Sequence, residues 1–176
     1  SDLHVEFHRD GGASLLKSIK PVGDVLLIAG DFTTFSRYTD DELVALFQRL
    51  LDIGPPVLYV PGNHELYKGS FKSAAKALQM LQDRLPELGV LEAGKVIERG
   101  SQRFLGGTMW FPWVSKRSAE AGEQVMNDFR LISGFRFHVY NENRRFLAWL
   151  RQELRPGDVV MTHHLPSYRS VHERYK

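Results

Sequence analysis

The stretch Val60-Pro61-Gly62-Asn63-His64-Glu65-Leu66-Tyr67 places an amide, an imidazole and a carboxylate side by side. It follows directly on the apolar run Val57-Leu58-Tyr59-Val60. A run this short, β-branched and apolar on both faces predicts a strand buried on two sides, as in a sheet covered by helices. Pro61-Gly62 then turns the chain sharply and presents three polar groups at the strand's carboxyl end.

The same arrangement recurs. Val25-Leu26-Leu27-Ile28-Ala29 runs into Gly30-Asp31, and Val159-Val160-Met161 runs into Thr162-His163-His164. The opening Asp2-Leu3-His4 fits the same rule if a strand precedes Ser1. Ligand sites of open α/β sheets collect at the carboxyl ends of strands, so these four clusters are expected to converge on one crevice. Convergence brings together Asp2, His4, Asp31, Asn63, His64, His163 and His164, a set of oxygen and imidazole donors. With no cysteine in the chain, thiolate metal sites and disulfides are excluded. The donor set suits divalent Mn, Fe, Zn or Ni. A carboxylate can bridge two cations, and Asn63 adds a neutral oxygen. Two ions roughly 3.5–4 Å apart can activate a water between them and stabilise in-line displacement at phosphorus.

At 176 residues the chain is long enough for one domain with a sizeable core. Its 43% apolar and 25% charged residues place it among ordinary globular proteins. A net charge of +2 is too small to announce a nucleic-acid or membrane partner. No apolar run reaches membrane-spanning length and no signal peptide is visible, so a cytoplasmic location is expected.

Helical patterns alternate with the strands. One apolar face is Leu43, Val44, Leu46, Phe47, Leu50 and Leu51, with Thr39 and Asp40 as caps. A second is Phe71, Ala74, Ala75, Leu78, Leu81 and Leu85, opened by Ser70. A third is Phe146, Leu147, Leu150 and Leu154, opening at Asn141 or Asn143. The segment from Val96 to Phe111 predicts short strands with turns at Gly100-Ser101 and Gly106-Gly107. A helix and loop are expected between Ser115 and Gly134.

In order, Asp2-x-His4, Gly30-Asp31, Gly62-Asn63-His64-Glu65 and Thr162-His163-His164 resemble the calcineurin-like metallophosphoesterase superfamily, and the motifs span essentially the whole chain. Phe104–Trp110, Met126–Arg130 and Val159–Ser167 are similar to a bacterial branch of small members. The resemblance implies an α/β, four-layered α/β/β/α sandwich, with residues 1–176 forming one domain. It implies a metal-dependent phosphoesterase that hydrolyses a phosphate mono- or diester with a metal-bridging hydroxide. Its metal ligands would be Asp31 as bridge, Asp2 and His4 on one ion, and Asn63 and His163 on the other. His64 would face the leaving group, and Glu65 would orient the loop. The small phosphorylated substrate would need two divalent ions, manganese among the candidates.

Two departures stand out. Thr34 occupies the place where many relatives carry a further acidic residue or Asn. The late Gly-His-x-His motif of the family has no match, so a leading strand and that closing motif are expected to lie outside the 176 residues. On that ground Asp2 and His4 are expected at a loose start. The rival readings are a non-catalytic binding module that keeps the fold, and a nuclease, against which the modest charge argues. Arg37 and Tyr38 could reach a substrate phosphate or sit in a solvated loop. Trp110, Phe111 and Trp113 fit core or rim packing better than a substrate pocket. His164 is left between a supporting role and simple packing.

Overall fold

A computed structural model describes residues 1–175 of the chain. The strands are β1 (Leu26–Ala29), β2 (Val57–Val60), β3 (Gly89–Val90), β4 (Ile97–Arg99), β5 (Gln102–Gly107) and β6 (Val159–Thr162). The helices are α1 (Ala13–Ser18), α2 (Asp40–Leu51), α3 (Phe71–Arg84), α4 (Lys116–Val125), α5 (Asp128–Leu131) and α6 (Phe135–Glu153). β1, β2 and β3 form one parallel sheet in that order, with Leu26 opposite Val57 and Leu58 opposite Gly89. β4, β5 and β6 form a second sheet, antiparallel between β4 and β5 and parallel between β5 and β6.

The two-residue period of a strand explains why β2 is apolar throughout. Val57 and Tyr59 point into a core with Leu46, Phe47 and Leu50 of α2 and Leu78 and Leu81 of α3. Leu58 and Val60 point the other way, into a smaller core with Ile97, Phe104 and Met161 of the second sheet. One strand therefore serves two cores, and all four of its residues are buried. On the far side of the second sheet, Phe146 of α6 covers Gly107. Helices, sheet, sheet and helix make up the α/β/β/α sandwich.

Local chemistry starts the helices where the caps predict. Thr39 and Glu42 form a reciprocal capping box on α2, with Thr39 N–H donating to Glu42 Oε2 at 2.8 Å. Ser70 and Ser73 do the same on α3. Two expectations need correction. α6 begins at Phe135, ahead of Asn141, because Phe135 and Val139 extend its buried face into the larger core. Gly106-Gly107 is no turn but the end of β5. A side chain at 106 would lie 2.5 Å from the Met161 carbonyl, and one at 107 would lie 2.7 Å from the Phe146 ring. The glycines are there for close approach of layers.

If α6 is seated on the sheet through Gly107, Gly107→Val should lower unfolding stability by about 1–3 kcal/mol through overpacking. Chemical denaturation should show part of that loss recovered in Gly107→Val/Phe146→Ala. Independent, additive losses would contradict the contact.

Candidate metal centre

The leading segment is not loose. Asp2 N–H donates to the Gly30 carbonyl, His4 N–H to Asp31 and Val5 N–H to Phe32, each at 3.0 Å. Val5 is fully buried and anchors the run in the larger core. Asp2, His4 and Asp31 all have left-handed backbone, with φ of 57°, 45° and 52°. Such conformations are costly without glycine and persist only where surroundings enforce them.

Glu65 does much of the enforcing. Its fully buried carboxylate accepts from Asp31 N–H (3.2 Å), Phe32 N–H (2.7 Å), Thr33 N–H (3.4 Å), Gly62 N–H (2.6 Å) and the Tyr59 hydroxyl (2.7 Å). The loops after β1 and β2 are thereby tied to one side chain. Burial, and then the Asp31 charge, push the Glu65 carboxyl above its usual range, against the lowering effect of its hydrogen bonds. Burial and Glu65 together push the Tyr59 hydroxyl well up, so it stays a donor.

Within that frame the predicted donors meet. Asp31 Oδ1 lies 3.4 Å from His163 Nε2, while its Oδ2 lies 3.7 Å from His4 Nε2. His163 Nε2 is 3.0 Å from Asn63 Oδ1, and Asp2 Oδ1 is 4.0 Å from His4 Nε2. Asp2, Asp31 and His163 present ligand atoms within 4.8 Å of one another. Space is made by glycine. A Cβ on Gly62 would stand 2.2 Å from Asp31 Oδ1, and one on Gly30 would stand 2.5 Å from His163 Nδ1.

The donor chemistry fits a cation. His163 Nδ1 lies 2.9 Å from the Ala29 carbonyl and must carry the proton there. A neutral ring then turns the Nε2 lone pair toward Asp31 Oδ1 and Asn63 Oδ1, both acceptors. The Asn63 amide is oriented the same way, because its Nδ2 donates to the Tyr67 hydroxyl at 3.2 Å. Lone pairs facing lone pairs leave an electropositive centre, a proton or a metal ion, as the group that fits between them.

The profile of the calcineurin-like phosphoesterase family matches residues 1–176. The chain belongs to that family. It is 25% identical over 193 residues to an uncharacterized protein of Acanthamoeba polyphaga mimivirus, covering 96% of this chain and 67% of that protein. A crystal structure of phosphopantetheinyl hydrolase from Mycobacterium tuberculosis is similar in fold. Its TM-score is 0.64 at 21% identity, over 94% of this chain and 66% of that one. The chain thus spans about two thirds of the length of either relative. The family is one that generally uses divalent metals. No helix among the described residues is long and apolar enough to cross a membrane.

Two residues of the site escaped the sequence reading. Glu6 is fully buried in its side chain, 3.5 Å from Nδ1 of both His4 and His64, and accepts the Thr34 hydroxyl at 3.1 Å. Its spacing from Asp2-x-His4 offered no motif. Tyr67 lies with its ring 4.1 Å from that of His64 and reaches Asn63. The departure at Thr34 is therefore a contact with Glu6. His64 N–H donates to Asp31 Oδ1 at 2.9 Å, and the His64 Nε2 is 3.9 Å from Asp31 Oδ2.

The remaining candidates are placed clearly. His164 packs beside Trp110 and Phe111, with Nδ1 3.0 Å from the Thr108 carbonyl, and burial lowers its pKa so that it stays neutral. Trp110 is core, whereas Trp113 is 54% exposed. Arg37 is on the surface near the site, its guanidinium over Phe7 and donating to the Glu6 carbonyl at 3.1 Å.

Burial by itself would lower the pKa of His64. Glu6 beside Nδ1, with the charges of Asp31, Glu6 and Glu65, outweighs burial and raises it. For Glu6 burial would raise the carboxyl, and contacts with His64, Thr34 and His4 hold it below its ordinary range. A raised histidine contributes stability that is fully present below about pH 6.5 and is lost as pH rises through the folded pKa. In the metal-free chain the NMR titration midpoint of His64 should therefore lie above about 6.5. Glu6→Gln should bring it down. A wild-type midpoint at or below the ordinary value would show that burial dominates.

Proposed function

We propose that this chain carries the reactive face of a phosphoesterase that hydrolyses a small phosphate mono- or diester at a dinuclear divalent-metal site, with residues 1–176 acting as one domain. The observation that carries the reading is the split environment of Asp31. Each of its oxygens faces a different imidazole, His163 Nε2 on Oδ1 and His4 Nε2 on Oδ2. A carboxylate whose two oxygens face candidate imidazole ligands on opposite sides suits a bridge between two ions.

Asp2 and His4 would hold the ion on the Oδ2 side. Asn63 and His163 would hold the one on the Oδ1 side. When bound, the ions supply an activated water and neutralise charge on the phosphoryl oxygens. His163 is kept in the ligating tautomer by Ala29, and Asn63 is kept oxygen-inward by Tyr67. His64 would give a proton to the leaving oxygen from Nε2, the nitrogen on the Asp31 side of its ring. Glu65 would hold both loops in register and would not touch substrate.

The test uses the chain stripped of metal and then supplied with Mn²⁺, assayed on aryl phosphate mono- and diesters. Metal-dependent hydrolysis is expected. Asp31→Asn should abolish it and reduce metal bound per chain, with an unchanged circular dichroism spectrum. Full activity and full metal content in that variant would sink the bridge.

His64→Ala separates roles. Alkyl esters, which need a protonated leaving group, should lose about 100-fold or more, and p-nitrophenyl esters much less. Metal content should hold. Equal losses on both substrate types, or loss of metal, would make His64 a ligand or a structural residue.

A further inference from the structure

Glu6 stands out as a buried charge that the proposed reaction does not use. Its Oε2 has no hydrogen-bond partner, and Nδ1 of His64 is buried with no closer hydrogen bond, Glu6 Oε1 being the carboxylate oxygen beside it at 3.5 Å. His4 and His64 lie with ring centroids 4.3 Å apart, strung between the same two carboxylates. Each has Nδ1 3.5 Å from Glu6 Oε1, and each has Nε2 on the Asp31 side, at 3.7 Å for His4 and 3.9 Å for His64.

A neutral imidazole carries one proton, and the acceptor on one nitrogen decides which. We infer that Glu6 is the positioning residue that keeps Nδ1 protonated on His4 and His64 at once, turning both Nε2 atoms toward the reaction centre. On His4 that leaves the Nε2 lone pair for a cation. On His64 it sets up the leaving-group step, so the inference rests on the function proposed above. As the phosphorus–oxygen bond breaks, the leaving oxygen keeps the electron pair and takes the Nε2 proton. The ring, doubly protonated at the start, is left neutral with Nδ1–H facing Glu6; the attacking water forms the new bond to phosphorus and releases one proton, which restores the charged ring for the next turnover. One carboxylate thereby couples a ligand to an acid.

Thr34 allows a sharp test. Its hydroxyl is 3.1 Å from Glu6 Oε1, so an aspartate at position 34 can put a carboxylate into the same space from the neighbouring loop. Nitrogen-15 NMR of the metal-free wild-type chain, at a pH where the rings are neutral, should show Nδ1–H on both His4 and His64. Glu6→Ala should move both to the Nε2–H form, and Glu6→Ala/Thr34→Asp should restore Nδ1–H on His64. With Mn²⁺, Glu6→Ala should lose about 100-fold on an alkyl phosphate ester and far less on a p-nitrophenyl ester, and the double variant should recover about tenfold or more.

Nε2–H on either ring in the wild type overturns the inference. So does Nδ1–H retained in Glu6→Ala, or a transposed carboxylate that restores neither signature nor rate. Should Glu6→Ala not fold, the wild-type signatures and the double variant still decide. Correct ring signatures in a chain that hydrolyses no phosphate ester overturn the phosphoesterase reading and leave the tautomer assignment of Glu6 standing.

Discussion

The Glu65 carboxylate is the constraint on which the site depends. Fully buried, it accepts from the backbone of Asp31, Phe32, Thr33 and Gly62 and from the Tyr59 hydroxyl. A charge in that position would be costly alone, and is tolerated because donors surround it. In return it joins two loops that leave separate strands. The left-handed backbone at Asp31 and the close approach of Gly62 to the Asp31 carboxylate both need that fixation. His64 N–H, donating to Asp31 Oδ1 at 2.9 Å, adds a second tie between the two loops.

The groups around Asp31 are arranged as acceptors aimed at a common space. Orientation comes from their outer contacts, with Ala29 on His163 and Tyr67 on Asn63. Under the proposed metal site, each inner atom would be committed before an ion arrives, which would reduce the rotamer entropy lost on binding. Asp31 and Asn63 are carried by loops leaving parallel β1 and β2, and His163 follows β6 of the other sheet. The two sheets bring the donors together through the small core of Leu58, Val60, Phe104 and Met161. Packing between layers and geometry at the site are thus one problem, because a shift of β6 against β1 would move His163 off Asp31.

Much of this could be read from residue order. Short apolar runs ending in Gly-Asp, Gly-Asn-His-Glu and Thr-His-His define strands, strand ends and a donor set through local periodicity and chemistry, and the structure brings Asp31, Asn63, His64 and His163 together. The reading failed where contacts are long-range. Gly106-Gly107 carries a turn signature, yet it continues β5 because Met161 and Phe146 press on it from two layers. Asp2 and His4 have no local order of their own, and the ladder to Gly30, Asp31 and Phe32 provides it.

The sequence by itself determined the fold class, the family and the chemical nature of the donors, because each rests on short-range pattern and on residue type. Only the tertiary structure decided which groups control those donors. Glu6 sits in a segment with no motif around it, and becomes a partner of two histidines because the leading run pairs with the end of β1. Glu65 is legible as part of a motif, but its hold on a loop 30-odd residues away is not. Neither role is encoded in spacing, since both arise when chain segments remote in sequence close around one buried charge.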